Sequence, residues 1–163
     1  MEKQNKIGIV FGIEGIYIGI DIGVDNLAAV SNNVGLSFYL IDGKGLKSMN
    51  KYYNKLVVHY SSKLQTDQKN ANKYNKQYMS KRLQRIHSKR NFKIDDYLHK
   101  ASRWIINFAQ ENNINVIVVG KNDLWKQKSN LSKITNQTFV QIPHAKFINM
   151  LKYKAEEIGR AHV

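Results

Sequence analysis

Hydrophobic and polar residues form short alternating runs along the first 45 residues of the chain and follow a helical period afterwards. Runs rich in apolar and β-branched residues lie at Lys6–Phe11, from Tyr17 to a single carboxylate at Asp21, at Leu27–Ser31 and at Leu36–Ile41. Glycine- or asparagine-rich turns separate them, and Asn32-Asn33 with Gly35 is typical of a hairpin turn. Short strands joined by tight turns predict an antiparallel meander.

The segment between Leu46 and Val119 has neither glycine nor proline and follows the period of an α-helix. Its first stripe has apolar residues three or four positions apart, at Met49, Tyr53, Leu56, Tyr60 and Leu64. A polar turn at Thr66–Asn72 is the expected break, and a second helical pattern runs to about Asn112. The pattern therefore predicts a helical hairpin over about residues 47–112.

A last strand and a last helix complete the α/β pattern. Val116–Gly120 is a short apolar run, predicted to lie parallel to the Asp21 strand because a long helical connection precedes it. Pro143 precedes the last helical pattern. The order of elements predicts an α/β fold with a mixed sheet and an inserted helical hairpin.

The charge balance favours a polyanionic partner. Lys and Arg number 26 against 12 Asp and Glu, which gives a formal net charge of +14 and a pI near 9.9. Nucleic acid is the simplest such partner. The chain has no cysteine, which excludes a disulfide framework and a thiolate zinc site. No apolar run is long enough to span a bilayer or to act as a signal peptide, so an intracellular, cytoplasmic location is expected.

One basic segment is the strongest candidate for phosphate binding. No acid lies between Asp67 and Asp95. Like charges four residues apart destabilise a helix by about 0.2–0.5 kcal/mol per pair, so a purely structural face would include acids. A solvated helix face is the alternative, and Tyr74 and Tyr78 could stack on bases or pack. The predicted nucleic-acid-binding residues are Lys73, Lys76, Lys81, Arg82, Arg85, Lys89, Arg90 and Lys93.

Asp21 is the candidate catalytic residue. It lies at the end of an apolar strand and is followed by Ile-Gly-Val-Asp-Asn. Burying a carboxylate there is costly unless a metal ion, phosphate or hydrogen-bond donor compensates it, and such carboxylates are concentrated at functional sites. The alternative is that Asp21 accepts hydrogen bonds from the backbone of its own turn.

Four blocks of residues resemble the transposon-encoded TnpB (OrfB) family. They are Gly-Ile-Asp-Ile-Gly-Val-Asp-Asn-Leu-Ala at 19–28, Leu-His-Lys-Ala-Ser at 98–102, Asn-Gln-Thr-Phe-Val-Gln-Ile-Pro at 136–143 and Lys-Tyr-Lys-Ala-Glu-Glu at 152–157. The resemblance spans nearly the whole chain from Gly19. The first block alone is weak, because actin-like and sugar-kinase ATPases share its Asp-x-Gly start, whereas the last two blocks together are specific.

The resemblance implies an RNA-guided DNA endonuclease with a ribonuclease H-like (RuvC-like) core at residues 13–157. It implies guide RNA and target DNA as partners and association with the nucleoid of a prokaryote. Residues 1–12 are then expected to end a preceding β-domain. The chain is expected to be a fragment that lacks the N-terminal recognition part and is incomplete at the C-terminus. Residues 158–163 are expected to be a non-native tail.

The resemblance also implies a magnesium site made of three carboxylates. Asp21 matches the first, while the second would fall at or beside Gly120, where the chain reads Val-Val-Gly-Lys-Asn-Asp. Asp123 is a possible substitute, and the third carboxylate would lie beyond Val163. With one matched carboxylate, this chain is predicted to be inactive, although its complete relatives would use Mg²⁺.

Two other classes of function remain open. One is a non-catalytic nucleic-acid-binding remnant, which keeps the basic segment without the nuclease chemistry. The other is an actin-like or sugar-kinase ATPase, which needs a second glycine-rich phosphate loop. No such loop follows Gly45 before Gly120, so the ATPase is disfavoured.

Overall fold

The computed structural model describes residues 15–69, 80–120 and 142–158. In these ranges the chain forms a four-stranded sheet and three helices. The elements are β1 (Tyr17–Ile22), β2 (Asn26–Asn32), β3 (Tyr39–Asp42), α1 (Lys44–Lys69), α2 (Lys81–Glu111), β4 (Val116–Val119) and α3 (His144–Glu157). The predicted strand at Lys6–Phe11 lies outside the described residues.

The strands are ordered β3-β2-β1-β4. β2 pairs antiparallel with both β1 and β3, which confirms the meander, and β4 pairs parallel with β1, as the long connection predicted. β3 begins at Tyr39, three residues later than expected. The cause is Asn32, whose Oδ1 accepts the backbone N–H groups of Val34 and Leu36 at 3.2 and 2.9 Å and holds this segment in a turn.

The two faces of the sheet differ in burial. Ile18, Ile20 and Ile22 of β1 are buried, whereas Asp21 between them is exposed. The pairs Ile20↔Val30 and Ile22↔Ala28 place buried residues of β2 on the same face. Because side chains alternate across a strand, Asp21 and its partner Ala29 belong to the opposite face. The hydrophobic core therefore lies on the isoleucine face of the sheet.

Helices α1 and α2 form the predicted hairpin. Tyr53 OH lies 3.0 Å from His87 Nδ1, and Arg82 Nη2 donates to Tyr60 OH at 2.5 Å. The contact nearer the end of α1 is with the residue nearer the start of α2, so the two helices are antiparallel. Helix α1 continues to Lys69 and α2 begins at Lys81, so residues 66–69 of the predicted turn are helical, while residues 70–72 lie outside the described residues. Ser80 Oγ caps α2 by accepting the backbone N–H of Leu83 at 3.3 Å.

Helix α3 packs against the second half of α2 and completes the core. Phe147 and Leu151 are fully buried. Lys154 is also buried, and its Nζ donates to His99 O at 2.9 Å and to Ser102 Oγ at 2.7 Å. None of the helices in the described ranges is both long enough and apolar enough to cross a membrane.

Candidate catalytic carboxylate and nucleic-acid interface

Asp21 lies near the end of β1, as predicted, but it is not buried. Its side chain is exposed on the face of the sheet opposite the core. The expectation of a costly buried carboxylate is therefore wrong, because strand alternation turns Asp21 away from Ile20 and Ile22. No other described residue donates a hydrogen bond to its carboxylate. The contacts thus give no support to the alternative in which Asp21 satisfies its own turn.

The end of β4 lies directly beside Asp21. Gly120 donates its backbone N–H to Ile20 O at 2.9 Å. A Cβ atom placed on Gly120 would lie 3.6 Å from Ile20 O and 3.9 Å from Asp21 Oδ1, which is ordinary van der Waals contact. A residue with a carboxylate at this position would fit next to Asp21. The parallel pairing of β1 with β4 therefore brings position 120 beside Asp21, and this chain has glycine there.

Two other acidic residues at the same end of the sheet have structural partners. Asp25 forms an ion pair with Lys47 Nζ through its Oδ1. Asp42 Oδ1 accepts the backbone N–H of Lys44 at 2.9 Å, at the start of α1. Asp123, the other predicted metal ligand, lies outside the described residues.

A magnesium site is not assembled by the described part of the chain. Mg²⁺ needs octahedral coordination by oxygen ligands, which carboxylates and water usually supply. Within residues 15–69, 80–120 and 142–158 there is no group of three or more His, Cys, Asp or Glu residues that could hold a metal ion. Asp21 alone does not fit the three-carboxylate site that the resemblance implies.

The predicted basic segment divides into two sets of residues with different surroundings. Lys81, Arg85, Lys89 and Lys93 are exposed on α2, and we call these four residues the basic stripe. They recur every four residues, so they follow one side of the helix with about 6 Å of axial rise between neighbours. None of the four forms a hydrogen bond or ion pair with another described residue.

Arg82 and Arg90 form the second set, and both contact α1 instead. The guanidinium of Arg82 lies 4.3 Å from the centre of the Tyr60 ring. Arg90 donates from Nε and Nη2 to Asn50 Oδ1, at 2.9 and 2.8 Å, and Asn50 is 1% exposed. Burial lowers the pKa of Arg90, although Tyr53 and Asp95 act in the opposite direction. These contacts join α2 to α1. Both arginines therefore have a role in packing, whereas the sequence analysis predicted only a role in binding nucleic acid.

Lys73 and Lys76, the remaining predicted binding residues, lie outside the described residues, as do Tyr74 and Tyr78. The nearest acids of α2 do not neutralise the basic stripe. Asp95 Oδ1 accepts from Lys146 Nζ of α3 at 2.6 Å, and Asp96 Oδ2 accepts from Lys100 Nζ at 2.8 Å.

The comparisons with known proteins identify the family of this chain. The profile of the OrfB_IS605 family, described as a probable transposase, matches residues 13–126. This match covers more than half of the chain. The chain belongs to the OrfB_IS605 family. The finding confirms the TnpB (OrfB) resemblance, and the matched range includes the blocks at 19–28 and 98–102. No curated protein matches the sequence.

Two solved structures are similar to this family member in fold. One is the cryo-EM structure of a Cas12f1-sgRNA-target DNA complex, with a TM-score of 0.58 and 18% identity. The other is the cryo-EM structure of a CRISPR-Cas12f ternary complex, with a TM-score of 0.59 and 19% identity. The matches cover 88% and 93% of this chain but only 34% and 29% of those chains. At such low identity they show a shared fold alone.

The sequence analysis of this transposase-family chain did not identify Phe92, an aromatic residue beside the basic stripe. Phe92 is 74% exposed and lines a shallow groove with all four cations of the basic stripe. Gln84 and Ser88 complete the lining. The spacing in the sequence could have placed Phe92 on the same side of α2 as the stripe. Phe92 follows Lys81 by eleven residues and Arg85 by seven, and both spacings are close to a whole number of helical turns, to within about 20°.

Proposed function

We propose that this chain is part of an RNA-guided DNA endonuclease of the TnpB type, with a ribonuclease H-like (RuvC-like) core. Family membership and the fold shared with Cas12f support the proposal. The position of Asp21 beside the end of β4 adds to that support, because the family's first two carboxylates are expected on these two strands. Guide RNA and target DNA are the proposed partners, and one of the similar structures holds an sgRNA and target DNA.

The observation that carries the nucleic-acid part of the proposal is the basic stripe. Four cations lie along one exposed side of α2, and no described acid is paired with any of them. Each cation that contacts a phosphate releases condensed counterions from the nucleic acid, so binding is favoured at low salt. Mutual repulsion of these cations without a ligand would be relieved in the complex.

For catalysis, Asp21 is the proposed catalytic residue and a ligand for Mg²⁺ in complete family members. The described residues contain no group of three or more possible metal ligands, and Gly120 occupies the position expected for the second carboxylate. We therefore infer that this chain does not cleave DNA in the presence of Mg²⁺ and guide RNA. Purified protein incubated with labelled target DNA tests this directly, with Asp21→Asn as the matched control. Cleavage that requires Asp21 would overturn the inference and would make Asp123 or Asp25 a candidate second ligand.

The binding experiment compares two triple variants with equal loss of charge. In the first, Lys81, Arg85 and Lys89 of the basic stripe are replaced by Gln. In the second, the exposed lysines of α1, at positions 51, 55 and 63, are replaced by Gln. Fluorescence anisotropy with labelled oligonucleotides is measured from about 50 to 200 mM salt.

The stripe variant should lower the slope of log K against log salt by up to about three units for duplex DNA, since each phosphate contact contributes about 0.9. The α1 variant should change the slope by less. Equal slopes in both variants would show that the basic stripe is solvated surface and that phosphate contacts lie elsewhere.

A non-catalytic nucleic-acid-binding protein is the second candidate function. The absence of a group of three or more possible metal ligands, among the residues that the structure describes, favours it. Both candidate functions predict binding of nucleic acid, and only the endonuclease predicts cleavage by a family member with all its metal ligands. Binding without cleavage would favour the second.

A further inference from the structure

The groove beside the basic stripe has an aromatic side chain that neither the core nor the hairpin uses. Phe92 is 74% exposed, whereas the apolar residues of α2 that pack against other elements, such as Ile94 and Leu98, are buried. Its ring has no aromatic neighbour among the described residues. The contacts described therefore provide no structural reason for a large apolar side chain at this position.

The surroundings of Phe92 are those of a phosphate-binding surface. The groove that it lines contains Lys81, Arg85, Lys89 and Lys93, and its other lining residues, Gln84 and Ser88, are uncharged hydrogen-bonding residues. The stripe extends over about 18 Å of helix axis, and Phe92 lies between its last two cations in sequence. An aromatic face surrounded by cations matches the chemistry of a nucleotide, in which an aromatic base is linked to phosphates.

We propose that this groove binds a single-stranded segment of nucleic acid, with Phe92 stacking on a base while the basic stripe contacts the flanking phosphates. This inference rests on the proposed nucleic-acid binding and deepens it. A base in a duplex is already stacked on both faces and paired, so only an unpaired base can offer its face to Phe92 without an energetic cost. Stacking on an aromatic side chain tolerates every base, because each has a π-face.

The inference separates two roles within one groove. The cations of the stripe act through charge, so their contribution falls as salt rises. Phe92 carries no charge, so its contribution should be nearly independent of salt. The cations bind single strands and duplexes alike, whereas Phe92 should distinguish them.

Substitution of Phe92 tests the inference, with anisotropy probes of fluorescein-labelled oligo(dT), oligo(U) and a mixed-sequence duplex of about twelve nucleotides or base pairs. Phe92→Ala should weaken binding to the single strands by about 5- to 100-fold, the range found when a stacking aromatic residue is truncated. Duplex affinity should change by less than about twofold, and the salt slope should stay at its wild-type value. Phe92→Trp should retain single-strand affinity.

Tyr52→Ala is the matched control, because Tyr52 is an aromatic residue of α1 that is 64% exposed and lies outside the groove. It should leave all three affinities unchanged. Circular dichroism shows whether each variant is folded, and Phe92→Ala removes no buried contact of the core. Comparison of the two single-stranded probes shows whether DNA or RNA is preferred.

The outcomes distinguish this inference from the proposed function on which it rests. Equal losses for single strands and duplex with Phe92→Ala, or no loss for either, would overturn the stacking role. If the stripe variant still lowered the salt slope in that case, phosphate binding by the stripe would stand. If neither the stripe variant nor Phe92→Ala weakened binding to any probe, both proposals would be wrong.

Discussion

The two halves of helix α2 carry out different tasks within one uninterrupted helix. The first half, residues 81–93, has one side on α1 and the other exposed, with the basic stripe and Phe92 on the exposed side. Its contacts with α1 include the polar and cation–π contacts of Arg82 and Arg90. The second half lies against the sheet and α3. Its buried residues are Ile94, Leu98, Ala101, Ser102, Ile105, Ile106, Phe108 and Ala109.

This difference between the two halves shows how a folded domain can tolerate a row of like charges on its surface. Burial of apolar area in the second half supplies stability, at about 25 cal/mol for each Å² removed from water. That burial fixes the helix, so its first half can carry like charges whose mutual repulsion costs only tenths of a kcal/mol per pair. The first half is then free to meet a ligand while the second half holds it in place.

The largest expected effect is in the second half. Ile105 is fully buried, so Ile105→Ala should lower the free energy of unfolding by about 2–5 kcal/mol through lost burial and a residual cavity. Ile86→Ala is the matched control, since it is the same change on the half-buried side of the first half, and it should cost about 1 kcal/mol. Chemical denaturation measures both. Equal costs would break the comparison, because the two halves would then contribute alike to the core.

The contact of Arg90 with Asn50 should have the next largest effect. Either single substitution, Asn50→Ala or Arg90→Ala, should cost about 1–3 kcal/mol, because Asn50 Oδ1 is buried and accepts two N–H donors from the guanidinium. A double-mutant cycle should find a coupling of at least about 0.5 kcal/mol. Arg85→Ala is the control for loss of an arginine on the exposed side. A coupling near zero would show that the two side chains are merely adjacent.

Lys154 of α3 is buried against the second half of α2, and it should make the stability of the domain depend on pH in the alkaline range. Desolvation and the nearby Arg103 lower the pKa of Lys154 below its usual 10.5, while Glu157 acts in the opposite direction. The unfolded chain therefore binds more protons between the folded and unfolded pKa values, so the contribution of Lys154 to stability rises with pH through that window. Below the folded pKa that contribution is constant.

The stability of the wild type relative to Lys154→Met should accordingly increase as the pH is raised towards 10.5. Denaturation curves of both proteins measured across this range provide the comparison, and groups such as Tyr97 that titrate nearby are common to both. Lys152→Met, which changes an exposed lysine of the same helix, is the control. A difference that fell with pH would contradict the direction of the pKa shift.

The smallest effect on stability is expected from the basic stripe itself. Replacing Lys81, Arg85 and Lys89 by Gln should change the free energy of unfolding by no more than about 0.5 kcal/mol, as for surface substitutions elsewhere. Denaturation of the same variant that is used for binding measures this. A larger loss would mean that the stripe supports the fold, and the comparison between the two halves of α2 would be wrong.

Much of the fold could be predicted from the sequence because its signals are local. Alternation and turn residues located the strands around Asp21, and helical periodicity located the hairpin. The parallel direction of β4 followed from the length of the connection before it. Residues 66–69 of the predicted turn are helical because polar composition alone does not end a helix, whereas the Ser80 side chain caps the start of α2.

For the candidate site, the sequence by itself determined that Asp21 ends a strand and that an acid-free basic segment precedes Asp95. Only the tertiary structure decided which of those side chains contact α1. Arg82 and Arg90 share the basic segment with Lys81 and Arg85, but α1 covers one side of α2 and leaves the other exposed.

The same holds for the neighbour of Asp21. Gly120 lies far from it in sequence and beside it in space, because β4 follows the helical hairpin in the chain and pairs with β1. The period of a sequence determines which residues share a face of one element. Whether that face is covered depends on the elements that pack against it, and those contacts are non-local.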